Sequence, residues 1–248
     1  MTYLEQQESG CPTKVAGLPR LSKGFAVTAL AFSTLVMAPA QADGPGRGQT
    51  AQFERDYLTF IIDHHYSALR MTEMAAGTDL QRDAPINNPE EGTSPTPNTT
   101  ATQAKAGMED IKSMARMANR MQREEIVKAQ KFLREWYGVS HTPTVRAEGQ
   151  QQIRLLEQAP AGAQFEKTFL QVFSNHHYGA LHPSLDCQVK SDHDHHQLKG
   201  YCEAIVHHQV MEINDMQKML CKHFSLCDFQ PSTGTNVQTG TAAVTTRQ

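Results

Sequence analysis

The sequence predicts an all-α fold, a four-helix bundle made of two duplicated helical hairpins. Three observations predict it. "FERDYLTFIIDHHYSAL", starting at Phe53, matches "FEKTFLQVFSNHHYGAL", starting at Phe165, without gaps at an offset of 112 residues. "QREEIVKAQKFL" from Gln122 matches "QVMEINDMQKML" from Gln209, 87 residues on. Self-similarity of this kind marks a repeated structural unit, here a hairpin, with about 25 extra residues in the first copy. Third, helices of about 25 residues are about 37 Å long, a length that suits an antiparallel bundle.

The elements follow in order. Residues 1–42 read as a signal peptide: Arg20 and Lys23 precede the apolar run "GFAVTALAFSTLVMAPA", Gly24 to Ala40, and Ala40-Gln41-Ala42 supplies a small-residue cleavage site. The run is too short and too rich in small residues for a stable membrane span. Glu5 and Glu8 in the long stretch before Arg20 are untypical, so an uncleaved anchor stays open as an alternative. Residues 43–50, "DGPGRGQT", form a Gly-rich linker, and the bundle occupies 51–230. Its hairpins are 51–138 and 161–228. The first helix spans Gln52 to Gly77, with glycine at its C-terminal end. "DAPINNPEEGTSPTPNTTATQ", Asp83 to Gln103, has no apolar periodicity and is a loop. The second helix covers Lys105 to Tyr137 and stops at Gly138, and "VSHTPTVRAEGQQ" connects onward. The third starts near Ala161 and must kink or end at Pro183. Ser184 to Gln197 is a polar, His-rich loop, and the fourth helix covers Leu198 to Phe224. The tail 231–248 lacks large apolar residues and is predicted to be disordered.

A net charge of -3 excludes a nucleic-acid binder of the usual basic kind. Histidine and methionine stand out instead, at 12 and 11 residues against one tryptophan. Export places the mature chain in the periplasm or outside the cell. Cys11 leaves with the signal, and the remaining Cys187, Cys202, Cys221 and Cys227 read as disulfides in an oxidising compartment. Of the three pairings, Cys187–Cys202 with Cys221–Cys227 is favoured. Thiolate metal ligation is the alternative, on a spacing that is not a known zinc pattern.

His64 and Met71 lie seven residues apart on one helical stripe, with Met74 a turn further. Met114, Met117 and Met121 follow an i, i+3, i+7 pattern on the second helix and, in an antiparallel hairpin, face Met71 and Met74. Methionine at such spacing is more often core filler than ligand. Against that, Ile111 is the one large aliphatic between Met108 and Met121. The pairs His64-His65 and His176-His177 hold identical phase in units that have otherwise diverged. The second hairpin adds His207, His208 and Met211, with His208 aligned on Met121 and His207 on Arg120. Thioether selects Cu(I), and imidazole takes Cu(I), Cu(II), Zn or Ni. The mixture therefore points to copper, Cu(I) first and Cu(II) at the His-richer positions. "DHDHH", Asp192 to His196, with His182 nearby, is a second and looser candidate, and a solvated loop is its equal alternative.

"DHHYSALRMTEMA", Asp63 to Ala75, resembles the signature PHHQxAxxMA of the "domain of unknown function 305" family, and "MARMANRMQREEIVKAQKFLREW" resembles that family's second helix. The likeness covers most of 53–137 and, more loosely, 165–224. It implies an exported ferritin-like bundle of the kind found in CopM-type periplasmic copper-binding proteins, with His64, His65 and Met71 as motif ligands and Met114, Met117 and Met121 on the second helix. Tyr66 and Tyr178 stand where the family usually has Gln, Pro183 takes the place of the second motif's Met, and the four-cysteine set is foreign to the pattern.

The expected function is copper sequestration, delivery or tolerance without turnover. The expected partners are copper ions and copper-handling export or chaperone proteins, with no nucleic acid and no membrane span once the signal is removed. Two alternatives stay open. A ferritin-like oxidase would need Glu-x-x-His motifs, and Glu203 to His207 is one residue too long. A structural or stress-response bundle would use its His and Met in packing alone.

Overall fold

The two copies of the HisHis motif lie on α1 (Gln49–Ala76) and α4 (Ala163–Val189), which cross at the middle of the protein. The computed structural model describes residues 48–78 and 100–237, all within one compact unit, Ala42–Gln248. The segment read as a signal peptide, most of the linker, most of the first loop and residues 238–248 lie outside the described residues. α2 (Glu109–Tyr137) returns along α1, and α5 (His196–Phe224) returns along α4. Tyr57 Oη donates to Ser184 Oγ at 3.1 Å, and His64 meets His176, so α1 and α4 are antiparallel. Tyr201 on Glu125 O and His223 on Asp110 together make α5 antiparallel to α2 as well. With α2 and α4 then running the same way, a long crossover must join them. That crossover contains a fifth helix, α3 (Ala147–Gln158), which the sequence reading assigned to a connection. All described secondary structure is helical, and no described helix is long and apolar enough to cross a membrane.

α1 is buried without a break from Ile61 to Leu69, and α4 from Phe169 to His177. Neighbours on every side cover these segments, which is why polar residues there must find partners inside the protein. Two apolar clusters flank this midsection. One contains Met71, Met74, Ile111, Met114 and the stacked rings of Phe165, Phe169 and Phe173. The other contains Tyr57, Ile61, Ile126, Leu133, Leu198 and Tyr201. Burying each such side chain stabilises the fold by about 1.5–3 kcal/mol. A polar slab with four histidines and two glutamates separates the clusters.

The duplication reaches the helix ends. α2 closes on Gly138 in the left-handed region, φ 65°, with its N–H on Arg134 O and the N–H of Val139 on Leu133 O. α5 closes the same way on Ser225, φ 54°, although a side chain there costs about 1–2 kcal/mol.

The expected break at Pro183 does not occur, and α4 runs on to Val189. Proline removes one N–H and crowds the carbonyl four residues back; that residue is Gly179. Beyond it, Ser184 is tied to Tyr57, Cys187 is joined to Cys202, and His193 Nε2 bonds Cys187 O at 2.8 Å. These tertiary ties hold the last turns. The second disulfide is Cys221–Cys227, completing the pairing that the spacing favours. The tail is a further correction. Ser232 N–H donates to Asn175 Oδ1 at 2.9 Å and Asn175 Nδ2 donates to Asn236 O at 2.7 Å, so residues 232–236 are seated on α4.

Candidate metal centre

The polar slab has an approximate twofold axis through its centre. His64 Nδ1 and His176 Nε2, equivalent residues in the two units, approach to 2.9 Å with their rings perpendicular. On either side lie the second histidines of the motif, each against a carboxylate. His65 Nε2 is 2.9 Å from Glu125 Oε2, and His177 Nε2 bonds Glu212 Oε2. Glu125 and Glu212 are themselves equivalent, 87 residues apart. The equivalence then breaks: His208 Nδ1 bonds Glu125 Oε1 at 2.8 Å, whereas the position matching His208 in the first unit is Met121.

Charges in the slab follow from these partners. Burial opposes the Glu125 anion, yet bonds from His208 and His65 hold its carboxyl down at about 2. The bond to Glu125 raises His208. The central pair behaves oppositely. Burial, then the neighbouring histidines and Arg146, push His64 well below its ordinary 6.5; burial, then His177 and His65, do the same to His176. Both rings are neutral at physiological pH and hold lone pairs.

The hydrogen bonds fix where those lone pairs point. Gln152 Nε2 donates to Gly234 O at 3.1 Å, which leaves Gln152 Oε1 to accept from His176 Nδ1–H at 2.7 Å. With one proton on the ring, His176 Nε2 accepts from His64 Nδ1–H at 2.9 Å rather than donating to the His64 carbonyl oxygen that lies 3.2 Å away. The free lone pair of the pair is left on His64 Nε2.

α3 roofs this centre. Gly149 sits so close to Ser67 that a Cβ there would lie 2.2 Å from Ser67 Oγ. No other residue fits this helix crossing without a shift. A cavity of about 30 Å³ remains under the roof, lined by Phe60, His64, Arg146, Glu148, His176 and Gly179. Gln152 and Glu148 are site residues the sequence reading missed, and they belong to the helix it missed.

The five methionines do not form one stripe. Met71, Met74 and Met114 are buried in the apolar cluster, while Met117 is 50% exposed and Met121 is half-buried. On α2 the buried face is centred on Ile111, Ala118 and Ala129, and Met117 falls about 60° from Met114 on the far side. His207 and Met211 also face outward on α5, Met211 at 50% exposure.

The His-rich loop, read equally as a looser metal candidate or as a solvated loop, is partly built in. His195 Nδ1 bonds Glu54 Oε2 at 2.8 Å and His193 Nδ1 lies 3.3 Å from Glu54 Oε1, and Tyr137 Oη donates to the same carboxylate. Glu54 is fully buried, but bonds from Tyr137 and His195 outweigh burial and lower its pKa. His182 pairs only with Asp186 on the surface. Among the described residues, no three or more His, Cys, Asp or Glu side chains are grouped so as to hold a metal ion.

Residues 98–220 match a family described as "Domain of unknown function (DUF305)", which supports the family expected from the histidine motif. The matched segment takes in α2, α3, α4 with His176 and His177, and most of α5; the first HisHis pair precedes it, where the motif reading had placed the stronger likeness. No curated protein and no solved structure matches the chain.

Proposed function

From this family and this centre, we propose an exported copper-binding protein that takes Cu(I) between His64 and His176, for sequestration or delivery in copper tolerance. One observation carries the reading: the duplicated motif brings its first histidines head to head, both neutral, 2.9 Å apart in a buried slab. Two imidazoles satisfy a soft monovalent d¹⁰ ion, whereas Zn(II) wants four donors and carries a second charge to bury. With metal–nitrogen bonds of about 2 Å each, the nitrogens must part by about 1 Å, and the adjoining cavity gives the rings room. His65 and His177 are fixed against Glu125 and Glu212 beside the site. The exposed Met117 and Met211, with Met121 and His207, offer outer contacts for incoming Cu(I) without a fixed partner. The single crossover suits a ferritin-like bundle, and the two disulfides suit an oxidising compartment.

Titration of the reduced-copper form against a competing Cu(I) chelator tests this. One Cu(I) bound tighter than micromolar, lost in His64→Ala/His176→Ala and kept in Met117→Leu/Met211→Leu, is the expected result. Binding weaker than micromolar in the native protein sinks it. The burial of Met71, Met74 and Met114 among phenylalanines favours a second reading in which the methionines serve packing alone. Retention of Cu(I) affinity in folded Met71→Leu/Met114→Leu would establish that role beside the histidine site.

A further inference from the structure

A buried pair needs a way in, and the roof over it is asymmetric. Ser67 and Gly179 are equivalent positions of the two units, and both line the cavity. α3 seals the first, since Gly149 is pressed onto Ser67. The second is left without a side chain. A Cβ at Gly179 would lie 3.9 Å from His64 Nε2 and 3.9 Å from Glu148 Oε1, in ordinary contact with both. Those two atoms therefore flank a small opening, the buried His64 on its inner side and the exposed Glu148 on its outer side. His64 Nε2 is also the nitrogen on which the Gln152–His176–His64 chain leaves a free lone pair. Arg146, the other charge on the rim, lies over the Phe60 ring at 5.2 Å from its centroid. The same Glu148 Oε1 accepts a bond from Gly234 N–H at 3.0 Å, which holds the carboxylate at the opening.

We propose that the opening at Gly179 is the route by which a soft monovalent cation reaches the histidine pair, passing from the Glu148 carboxylate to His64 Nε2. The proposal rests on the copper reading above, and assigns Gly179 and Glu148 to entry rather than to ligation. Ring rotation of His64 would turn Nε2 inward while Nδ1 keeps its proton, so the imidazole stays neutral and no proton has to leave.

The test is stopped-flow transfer of Cu(I) from a coloured chelator complex to the full mature protein. In Gly179→Leu the side chain fills the opening, and uptake and release should both slow by about tenfold with their ratio kept, as for any steric gate. Gly179→Ala should differ from the native protein by less than about twofold. Glu148→Gln should slow uptake by about two- to threefold and flatten its salt dependence. Native uptake rates in Gly179→Leu would overturn the proposal. Should that variant fail to fold, Gly179→Cys, labelled in the folded state with a bulky maleimide, plugs the same opening and carries the same expectation. A metal-free arm separates this idea from the copper reading: carbethoxylation of His64 by diethyl pyrocarbonate, read by mass spectrometry, should slow by about tenfold in the plugged protein. If the native protein binds no Cu(I), the copper reading fails and, with it, the cargo named here. If carbethoxylation is indifferent to the plug, the entrance lies elsewhere whatever the copper result.

Discussion

Mild acid should unfold this protein through two residues. His64 and His176 are held neutral in the folded state, chiefly by burial and next by the histidines around them. In the unfolded chain each ring takes a proton near 6.5. A group with its folded pKa depressed in this way, and whose protonated form is the charged one, makes the unfolded state bind more protons. Stability is then lost as pH falls below the unfolded value. Between pH 6.5 and 5.5 each ring contributes a loss of about 1 kcal/mol, so the pair accounts for about 2 kcal/mol. The opposing groups act elsewhere. His208 is raised by Glu125, so its stabilisation is nearly complete once pH is below 6.5. Glu125, lowered to about 2, loses its contribution only as pH falls from 4.5 toward 2. Urea unfolding of the metal-free, disulfide-intact protein at the two pH values measures the difference. His64→Phe/His176→Phe, or either single change, should remove most of it or half of it. An equally steep loss in the double variant would refute the assignment to this pair.

Three further outcomes follow from the packing. Gly149→Ala should lower stability by about 1–3 kcal/mol, because its Cβ meets Ser67 Oγ at 2.2 Å, and Ser67→Gly in the same chain should restore it; thermal unfolding of the two variants beside the native protein decides. Met74→Ala leaves a hole in the apolar cluster and should cost about 2–5 kcal/mol, while Met117→Ala, half exposed, should change denaturant stability by less than about 0.5 kcal/mol. Cys187→Ala/Cys202→Ala opens a link across 15 residues and should cost about 3 kcal/mol in urea, with Ser184 and His193 loosening first by hydrogen exchange.

The duplicated motif made the helical hairpins and their histidine pairs legible, but it did not show that His64 and His176 meet, since that contact depends on how the two hairpins cross. Glu125 and Glu212 were equally legible: they share the offset of the second helices but were passed over among many surface glutamates. α3 was hidden by composition. Pro143 precedes it, Gly149 sits in it, and Ile153, Leu155 and Leu156 are its few large apolar residues. Glycine there costs helix propensity and is retained for the close approach to Ser67, a demand that only the folded neighbour makes. Pro183 misled for the same reason, since the disulfide and the Tyr57 contact that hold α4 together are long-range. The methionines misled differently. A spacing of three then four keeps residues on one side of a helix but does not say where the buried face is centred, and Met117 fell off its edge.

Gly234 lies 82 residues beyond Gln152, in a stretch of glycine, serine and threonine that looks dispensable. Its carbonyl chooses which end of the Gln152 amide faces His176. Turn that amide and its NH₂ meets His176 Nδ1, which must then accept; the proton moves to His176 Nε2, and His64 answers by moving its own proton to Nε2. The lone pair at the opening disappears without any change at the histidines themselves. A tag, a truncation or a protease that displaces the segment around Gly234 is thus a change to the tautomer of His64.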